Sequence, residues 1–416
     1  MSEVVNIPQL RFPEFNGGWK ESRIGKIYKD LRTGSTPSRA VKSYFKGDNP
    51  WITSGELKYN RISTTFEQIS DEAIKDTNLV LYQPGTLFIA ITGLEAPGTR
   101  GKCAINAVPS TTNQSCLAFR KVDSVDTIYM FYWYLKYGKP LYFKYAQGTK
   151  QQSFNNKIVE KFQIFLPNKP EQQKIAAFLS AVDNKIEQLS KKQELLGEYK
   201  KGLMQQIFSQ VIRFKADDGC DFPDWGEKKL SDLSLSHYQG INTTADKVEY
   251  HKEGFPIAQA KHITSEFMDF NNIKYVNEAT YESYKKKFKP NQNDILISNI
   301  GTLGKIVLVE NDIDFLVAWN IFKVELDINK VIPKFLLFSL KLVASRGYFD
   351  RMKTGNATKF VNKADMLNIQ INFPSKLEQK KIANFLSSID SKIEQVGKQL
   401  DESKQFKKAL LQQMFV

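Results

Sequence analysis

One long stretch of this chain occurs twice, and no other feature of the sequence limits the possible folds as strongly. Residues 171–208 read EQQKIAAFLSAVDNKIEQLSKKQELLGEYKKGLMQQIF, and residues 378–415 read EQKKIANFLSSIDSKIEQVGKQLDESKQFKKALLQQMF. The two copies align without a gap at a constant offset of 207 residues. Solenoid repeats have periods of roughly 20–50 residues. A period this long instead predicts two copies of a domain, each followed by the same element.

The repeated stretch has the spacing of a coiled-coil helix. Its apolar side chains recur at alternating steps of four and three residues, interrupted in both copies by a lysine, Lys200 or Lys407. A helix this long buries its apolar stripe only against a partner, and the other copy is the partner we expect. The alternative is that each stripe packs on its own neighbouring domain. Asp183 and Asp390 lie within the stretch and are expected to be solvated or to face a partner. The predicted seam consists of Ile175, Leu179, Val182, Ile186, Leu189, Leu196, Leu203 and Ile207 in the first copy and Ile382, Leu386, Ile389, Ile393, Val396, Leu400, Leu410 and Met414 in the second.

The repeat extends beyond the helices. A similar segment opens both halves, WKESRIGKI from Trp19 and WGEKKLSDL from Trp225. Each half continues through β-branched strands, glycine loops and one apolar core helix in an irregular order, which predicts a mixed α/β fold without the alternation of a doubly wound sheet. Exposed loops are predicted at 32–38 and 237–244, strands at 115–122 and 315–326, and the core helices at 128–137 and 333–342. The predicted organisation is a globular domain over 1–167, a helix over 168–212, a similar domain over 213–374 and a second helix over 375–416.

The charge of the chain favours a polyanionic partner. Its net charge is +14, as expected for a protein that contacts phosphates independently of sequence. Residues 1–167 hold 22 basic and 14 acidic side chains, a net +8, whereas residues 213–374 hold 22 and 21, a net +1. DNA contact by the second domain would therefore need local clusters, such as the lysines at 285–287 and 289. An ordinarily basic protein without such a partner is the alternative.

Motifs for catalysis, metal binding and membrane insertion are missing from the sequence. GxxxxGK[ST], GxSxG and HExxH do not occur, and the loop from Gly93 to Gly101 lacks the GxGxxG spacing. The three cysteines, Cys103, Cys116 and Cys220, show no metal-ligand or disulfide pattern, which fits a reducing cytoplasm. No signal peptide and no long apolar run are seen. These absences predict a non-catalytic, cytoplasmic binding protein.

With these features together, the sequence resembles the specificity subunit of a type I restriction–modification enzyme over essentially its whole length. The most specific element is the transition from domain to helix, PNKPEQQKIA at 167–176, repeated as PSKLEQKKIA at 374–383. It follows the loop segments that run from Gly148 to Asn155 and from Gly355 to Asn362. The segment before each helix is usually proline-rich in this family and is less so here, which leaves the geometry of the hinge open.

The resemblance implies a fold, a function and partners. The two globular domains would be target-recognition domains, and the two helices would pair as an antiparallel coiled coil. The chain would be a non-catalytic subunit of a phage-defence system that reads a bipartite asymmetric DNA target, one recognition domain per half-site, with the helices setting the unread spacer. It would bind two methylation subunits and, through them, two restriction subunits. S-adenosylmethionine, ATP and Mg would be held by those partners, and no cofactor or metal by this chain.

The DNA-contacting residues are predicted from loop composition, because small, amide and basic side chains make contacts to base edges and phosphates. In the first domain we predict Thr33, Ser35, Thr36, Arg100, Lys102, Lys150, Gln151 and Gln152. In the second domain we predict Gln239, Asn242, Lys261, Asn299, Lys305, Asn356 and Lys359. Two other functions stay open at this point, namely a stand-alone two-headed DNA-binding regulator and a nuclease or methyltransferase with a cryptic site.

Overall fold

The structure of the chain is a computed structural model that describes residues 6–264, 267–355 and 358–416. The chain divides into two compact units. The first unit joins Met1–Ser190 to Lys398–Val416, and the second unit is Lys191–Gly397. Within the described residues, no helix is both long enough and apolar enough to cross a bilayer.

The first globular domain is built on a five-stranded sheet of order β2-β9-β6-β7-β4, a three-stranded sheet of order β5-β3-β8, and the antiparallel pair β1-β10. Its strands are β1 (Lys20–Arg23), β2 (Arg32–Thr33), β3 (Asn49–Ile52), β4 (Arg61–Ile62), β5 (Gln68–Ile69), β6 (Leu87–Ala90), β7 (Cys103–Asn106), β8 (Thr111–Thr112), β9 (Cys116–Phe119) and β10 (Gln163–Leu166). Its helices are α1 (Ile24–Ile27), α2 (Asp71–Asp76), α3 (Thr127–Tyr145) and α4 (Asn156–Glu160), followed by the long helix α5 (Lys169–Phe208).

The second globular domain repeats this plan. Its sheets have the orders β12-β18-β15-β16, β14-β13-β17 and β11-β19, so each has a counterpart in the first domain, which adds only β4. The strands are β11 (Gly226–Lys229), β12 (Ser234–Gln239), β13 (Phe255–Ala258), β14 (Lys274–Val276), β15 (Ile295–Ser298), β16 (Ile306–Leu308), β17 (Leu316–Val317), β18 (Ile321–Leu326) and β19 (Gln370–Phe373). The helices are α6 (Glu278–Phe288), α7 (Pro333–Ser345), α8 (Tyr348–Met352) and α9 (Lys363–Leu367), followed by the long helix α10 (Lys376–Gln413).

The mixed α/β class, the duplicated domains and the two long helices are as the sequence predicts. The aromatic stretch of α3 is a core helix, because Tyr129, Met130 and Tyr134 are buried. Two local predictions are wrong. The loops expected at 32–38 and 237–244 include β2 and the end of β12, and the strand expected at 315–326 is interrupted between β17 and β18 by a turn at 319–320.

A buried glutamate joins each globular domain to the start of its helix. Arg11 donates through Nε and Nη2 to the two carboxylate oxygens of Glu171 at 2.7 and 2.8 Å, and Trp19 Nε1 donates to Oε1 at 3.2 Å. In the second unit, Arg213 and Trp225 bind Glu378 in the same way, with N–O distances of 3.0–3.3 Å. Two-pronged pairing of a guanidinium with a carboxylate fixes direction as well as distance. The repeated glutamate therefore orients each helix on its domain.

The glutamine after each glutamate completes the junction. Gln172 Oε1 accepts from Asp126 N at 2.9 Å, beside the start of α3, and its Nε2 donates to Pro167 O at 3.0 Å. Gln379 makes the equivalent bonds to Ile332 N and Pro374 O, at 2.9 and 3.0 Å. Both glutamines are buried. The repeated Glu-Gln pair thus has a physical reason, since the glutamate accepts from arginine and tryptophan side chains and the glutamine satisfies backbone groups that would otherwise be buried without partners.

Within each unit, the first part of one long helix packs antiparallel on the last part of the other. In the first unit, Ile175 and Leu179 share a core with Leu410, Met414 and Phe415 and with the globular domain. In the second unit, Ile382 and Leu386 share a core with Ile207 and Phe208. The stripe therefore packs both on the partner helix and on its own domain. All sixteen residues of the predicted seam are buried or half-buried.

The lysines that interrupt the seam pair with the aspartates of the opposite helix. Lys407 Nζ lies 2.6 Å from Asp183 Oδ1, and Tyr132 OH donates to Asp183 Oδ2 at 2.7 Å. Lys200 pairs with Asp390 in the second unit. Of the two expected roles for Asp183 and Asp390, solvated or partner-facing, the structure shows the second, and the partner is the other long helix. Because a polar group in a seam is satisfied in one alignment only, these pairs specify the antiparallel register.

Candidate nucleic-acid interface

The predicted DNA-contacting loops of the first domain meet at one edge of its main sheet. Strands β2 and β6 end at this edge, whereas β7 and β9 begin there, as the pairings Ala90 with Cys116 and Ile89 with Cys103 require. Four segments therefore converge, and we call them together the loop end of the domain. They are residues 34–36 after β2, 113–115 before β9, the glycine loop 91–102 and the hairpin 147–153.

The loop after β2 is held against the turn before β9. Gly34 N donates to Asn113 O at 3.1 Å, and Thr36 Oγ1 donates to Gln114 Oε1 at 2.6 Å. A Cβ atom on Gly34 would overlap the backbone carbonyl of Thr112. Only glycine therefore permits this close approach of the two segments. Gly240 takes the same position in the second domain, where a Cβ would overlap Ala318 O.

The hairpin closes on itself and on the glycine loop. Gln147 and Ser153 exchange backbone hydrogen bonds at 3.1 and 2.9 Å, and Gly148 turns the chain with φ +106°. Leu94 N then donates to Gln152 O at 3.0 Å, and Gln152 N donates to Glu95 Oε2 at 2.9 Å. The two loops are therefore one connected structure, and it carries Lys150 and Gln151 at its exposed tip.

Arg100 holds the glycine loop from inside. Its Nε donates to Leu94 O at 2.9 Å and its Nη2 to Glu95 O at 2.8 Å, while the guanidinium lies 4.5 Å from the centre of the Tyr142 ring. Tyr142 OH in turn donates to Gln152 Oε1. The sequence predicts Arg100 as a DNA contact, but its hydrogen bonds in this structure are to the loop itself. We interpret Arg100 as a residue that positions the loop and hairpin.

Replacing Arg100 with lysine is expected to lower the preference for target over non-target DNA about tenfold, because two hydrogen bonds that close the loop are lost. The dependence of affinity on salt should stay unchanged. By contrast, Lys150→Ala should weaken binding to all sequences and lower the salt slope by about 0.9, as removal of one phosphate contact does. Titration of target and scrambled duplexes at several salt concentrations checks both. A reduced salt slope for Arg100→Lys would identify it as a phosphate contact instead.

The second domain has an equivalent loop end. Its segments are the end of β12 with residues 240–242, residues 318–320, the loop 299–305 and the pair Thr354 and Phe360, which exchange backbone bonds of 2.8 and 3.0 Å. Gly301 N donates to Lys359 O at 2.8 Å, so the loop 299–305 is joined to the segment 358–360. Phe154 N bonds to Ile91 O in the first domain, and Val361 N bonds to Asn299 O in the second, which fixes the equivalence of the two loop ends.

Some of the predicted residues are free to meet a ligand. The side chains of Lys150, Gln151, Lys261 and Lys305 are exposed and make no hydrogen bond or ion pair within the parts of the chain that the structure describes. Thr33 is half-buried on β2, and the half-buried Ser35 has a buried hydroxyl that finds no hydrogen-bond partner among those residues.

Other predicted residues are engaged within the protein. The Nζ atom of Lys102 lies 4.5 Å from the ring centre of Tyr59, and Lys359 Nζ donates to Gly355 O at 2.6 Å. Asn242 Oδ1 accepts from Ala245 N at 3.1 Å. Gln239 and Asn299 bond to each other, and Asn299 is buried. Asn356 lies outside the described residues.

In each domain, the turn before the second strand of the main sheet, β9 or β18, was missed by the sequence analysis. It places Gln114 at the first loop end and Trp319 and Asn320 at the second, all between a short strand and a long one. Gln114 and Trp319 are exposed. In the second domain the apolar residues around the turn favour one continuous strand over 315–326, and Asn320 was the available signal for a turn. In the first domain the signal was Asn113-Gln114, just before the strand predicted at 115–122.

The positive charge at the loop ends comes from lysine and arginine. Burial is the main cause that lowers the pKa of His237 and of His262, with a nearby lysine adding to it, so both are neutral at neutral pH. His262 Nδ1 accepts from Gln259 N at 2.9 Å, where the first domain uses Glu56 to accept from Thr53. Burial also raises the pKa of Cys116 to about 12, so this thiol is protonated. No cluster of His, Cys, Asp or Glu suited to a metal is found among the described residues.

Comparison with known proteins identifies this arrangement. The sequence model of the type I restriction modification DNA specificity domain matches twice, over residues 16–196 and 223–402. The MjaIX type I restriction enzyme specificity subunit of Methanocaldococcus jannaschii is 28% identical over 306 residues, which are 68% of this chain and 69% of that protein. The MjaVIII specificity subunit of the same organism is 24% identical over 420 residues, 97% of this chain and 92% of that protein.

Solved structures show the same fold. The crystal structure of the S subunit of a type I restriction–modification system from M. genitalium superposes with a TM-score of 0.60 at 17% identity, over 99% of both chains. A chain from a structural study of complex assembly and conformational transition of the type I R-M system gives 0.56 at 16% identity, over 97% of this chain and 98% of that one. At these identities the likeness concerns the fold.

Proposed function

Because this chain belongs to the family of type I restriction–modification DNA specificity subunits, we propose that its two loop ends read the two halves of one bipartite, asymmetric DNA target. Each recognition domain takes one half-site, and the paired helices set the number of unread base pairs. The chain itself is non-catalytic and acts in the cytoplasm. It assembles with two methylation subunits and, through them, two restriction subunits. Those partner subunits bind S-adenosylmethionine, ATP and Mg.

One observation carries this proposal: the two loop ends share a backbone plan but differ in side chains. The equivalent positions at the strand ends hold Thr33 and Gln239, and those in the turn hold Gln114 and Trp319. Direct readout depends on donors, acceptors and apolar groups placed against base edges. Equal scaffolds with unequal side chains therefore suit two different half-sites, which makes the whole target asymmetric. The junction residues, by contrast, are the same in both halves.

Expression of the chain with its cognate methylation subunit, followed by single-base mapping of modified adenines in the host genome, tests the proposal. The expected result is one bipartite motif with one modified adenine on each strand, about 10 base pairs apart, because that spacing brings the same face of B-DNA round again. A methylation subunit expressed alone is the control and should leave no motif. Modified bases without a two-part motif would contradict the reading of two half-sites. If this chain and the methylation subunit do not co-purify, the proposed assembly is contradicted.

A further inference from the structure

Two amide side chains at the second loop end are locked together. Gln239 stands at the end of β12, and Asn299 follows β15 directly. Gln239 Nε2 donates to Asn299 Oδ1 at 3.0 Å, and Asn299 Nδ2 donates back to Gln239 Oε1 at 2.9 Å. Asn299 is only 2% exposed, whereas Gln239 is half-buried. Of the two, Gln239 is therefore the side chain that a ligand can reach.

Backbone carbonyls fix which way both amides point. The second N–H of Gln239 Nε2 donates to Trp319 O, and the second N–H of Asn299 Nδ2 donates to Val361 O at 3.2 Å. If either amide turned over, its oxygen would face a carbonyl oxygen, so a favourable contact would become a repulsive one. A carbonyl group only accepts hydrogen bonds. The orientation is thus set by the main chain and by the partner amide together.

This locking changes what Gln239 can offer. A free glutamine binds adenine with two bonds, one donated by its NH₂ group and one accepted by its oxygen. Here both N–H groups of Gln239 are already used, by Asn299 and by Trp319. An amide oxygen has two lone pairs, and Asn299 Nδ2 occupies one of those on Oε1. Gln239 can therefore present one acceptor and no donor.

We propose that Gln239 selects, at one position of the half-site read by the second domain, a base that carries an exocyclic amine in the major groove. In that groove adenine offers the N6 amine and cytosine the N4 amine, whereas guanine and thymine present only acceptors beside the thymine methyl. Gln239 Oε1 accepts from the amine and is repelled by guanine O6 or thymine O4. Asn299 is a positioning residue that acts through Gln239. The inference rests on the proposed function, since it needs the second loop end to meet DNA.

The test uses the complex with the methylation subunit and duplexes that carry its target. At each adenine or cytosine of both half-sites, the base is replaced by an analogue without the exocyclic amine, purine for adenine and pyrimidin-2-one for cytosine. We expect one position at which the analogue weakens binding by the wild-type complex about 5- to 10-fold, the value of one hydrogen bond. With Gln239→Ala, the same analogue should have no effect at that position. Gln395→Ala, an exposed glutamine on α10, is the matched control and should keep the wild-type pattern.

The role of Asn299 has its own readout. In Asn299→Ala the amide of Gln239 is released and can turn, so guanine or thymine at the same position should become tolerated while overall affinity changes little. A purely structural role would lower affinity for all four bases alike. Should this variant not fold, the analogue series with Gln239→Ala still decides the matter. If no analogue weakens binding by the wild-type complex, or if every analogue effect survives in Gln239→Ala, the inference is overturned and the proposed function stands. If the wild-type complex binds no sequence preferentially, both are overturned.

Discussion

Replacing Glu378 with alanine is expected to lower the free energy of unfolding of the second unit by about 3–5 kcal/mol, because it leaves the guanidinium of Arg213 without its buried partner. Glu378 is fully buried and also accepts from the indole of Trp225 at 3.0 Å, so three donors lose their acceptor at once. Denaturant unfolding of the purified chain, followed by hydrogen exchange in the second unit, measures the change. Glu171→Ala should have the same effect on the first unit.

The matched control for this experiment is Glu394→Ala. Glu394 is an exposed glutamate on the same helix, α10, and its removal should change the unfolding free energy by less than about 0.5 kcal/mol. The pairing also acts on Arg213. Its hydrogen bond to Glu378 raises the pKa of Arg213 and holds the guanidinium charged and in place. If Glu378→Ala lowers the free energy of unfolding no more than Glu394→Ala does, the bonds of Glu378 do not hold the helix on the domain.

Gly34→Ala is expected to destabilise the first domain by about 3 kcal/mol or more, although it adds only one methyl group. The new carbon would overlap the carbonyl oxygen of Thr112, which is backbone in a strand and cannot swing away as a side chain would. The strand pairing of β2 with β9 must then shift, and the loop after β2 with it. The measurement is thermal or denaturant unfolding, together with binding to target DNA.

Gly98→Ala serves as the control for this substitution. Gly98 lies in the glycine loop of the same domain, and a Cβ there would meet no atom within 4 Å. Alanine at this position should be neutral or slightly stabilising, because it restricts the unfolded chain. The close approach would be refuted if Gly34→Ala and Gly98→Ala unfolded at the same denaturant concentration. Gly240→Ala extends the comparison to the second domain, where Ala318 O is the atom in the way.

The helices and the duplicated domains could be predicted because their signals are local and repeated. The apolar spacing from Ile175 to Ile207 defines a helix face whatever lies against it, and the offset of 207 residues gives the second copy at once. The Glu-Gln pair could be found by repetition but not explained. Arg11 lies eight residues before Trp19, whereas Arg213 lies twelve residues before Trp225, so the arginines fall out of register in the sequence and meet equivalent glutamates only in space.

The location of the loop ends could be predicted from the sequence, but the contacts that their side chains make could be predicted only in part. Loops that follow or precede neighbouring strands converge at one edge of a sheet, so composition alone could predict that Lys150 and Lys305 are exposed there. It could not show that Asn299 is buried, because the residue after a buried strand points in or out according to the pairing that follows. The interior bonds of Arg100 were hidden for a similar reason. The sequence alone does not distinguish a basic residue that faces DNA from one that bonds to the main chain of its own loop.

The division of the chain into one continuous and one discontinuous unit bears on how the protein is made. All residues of the second unit are synthesised before residue 398, so this unit has its full set of residues before the first unit does. The first unit needs Leu410, Met414 and Phe415 for its core, and these residues are synthesised after every residue of the second unit. Until they arrive, the apolar surface around Trp19 and Tyr129 stays uncovered in the nascent chain. The half that is made first therefore finishes folding last, and it is the half for which chaperones matter most.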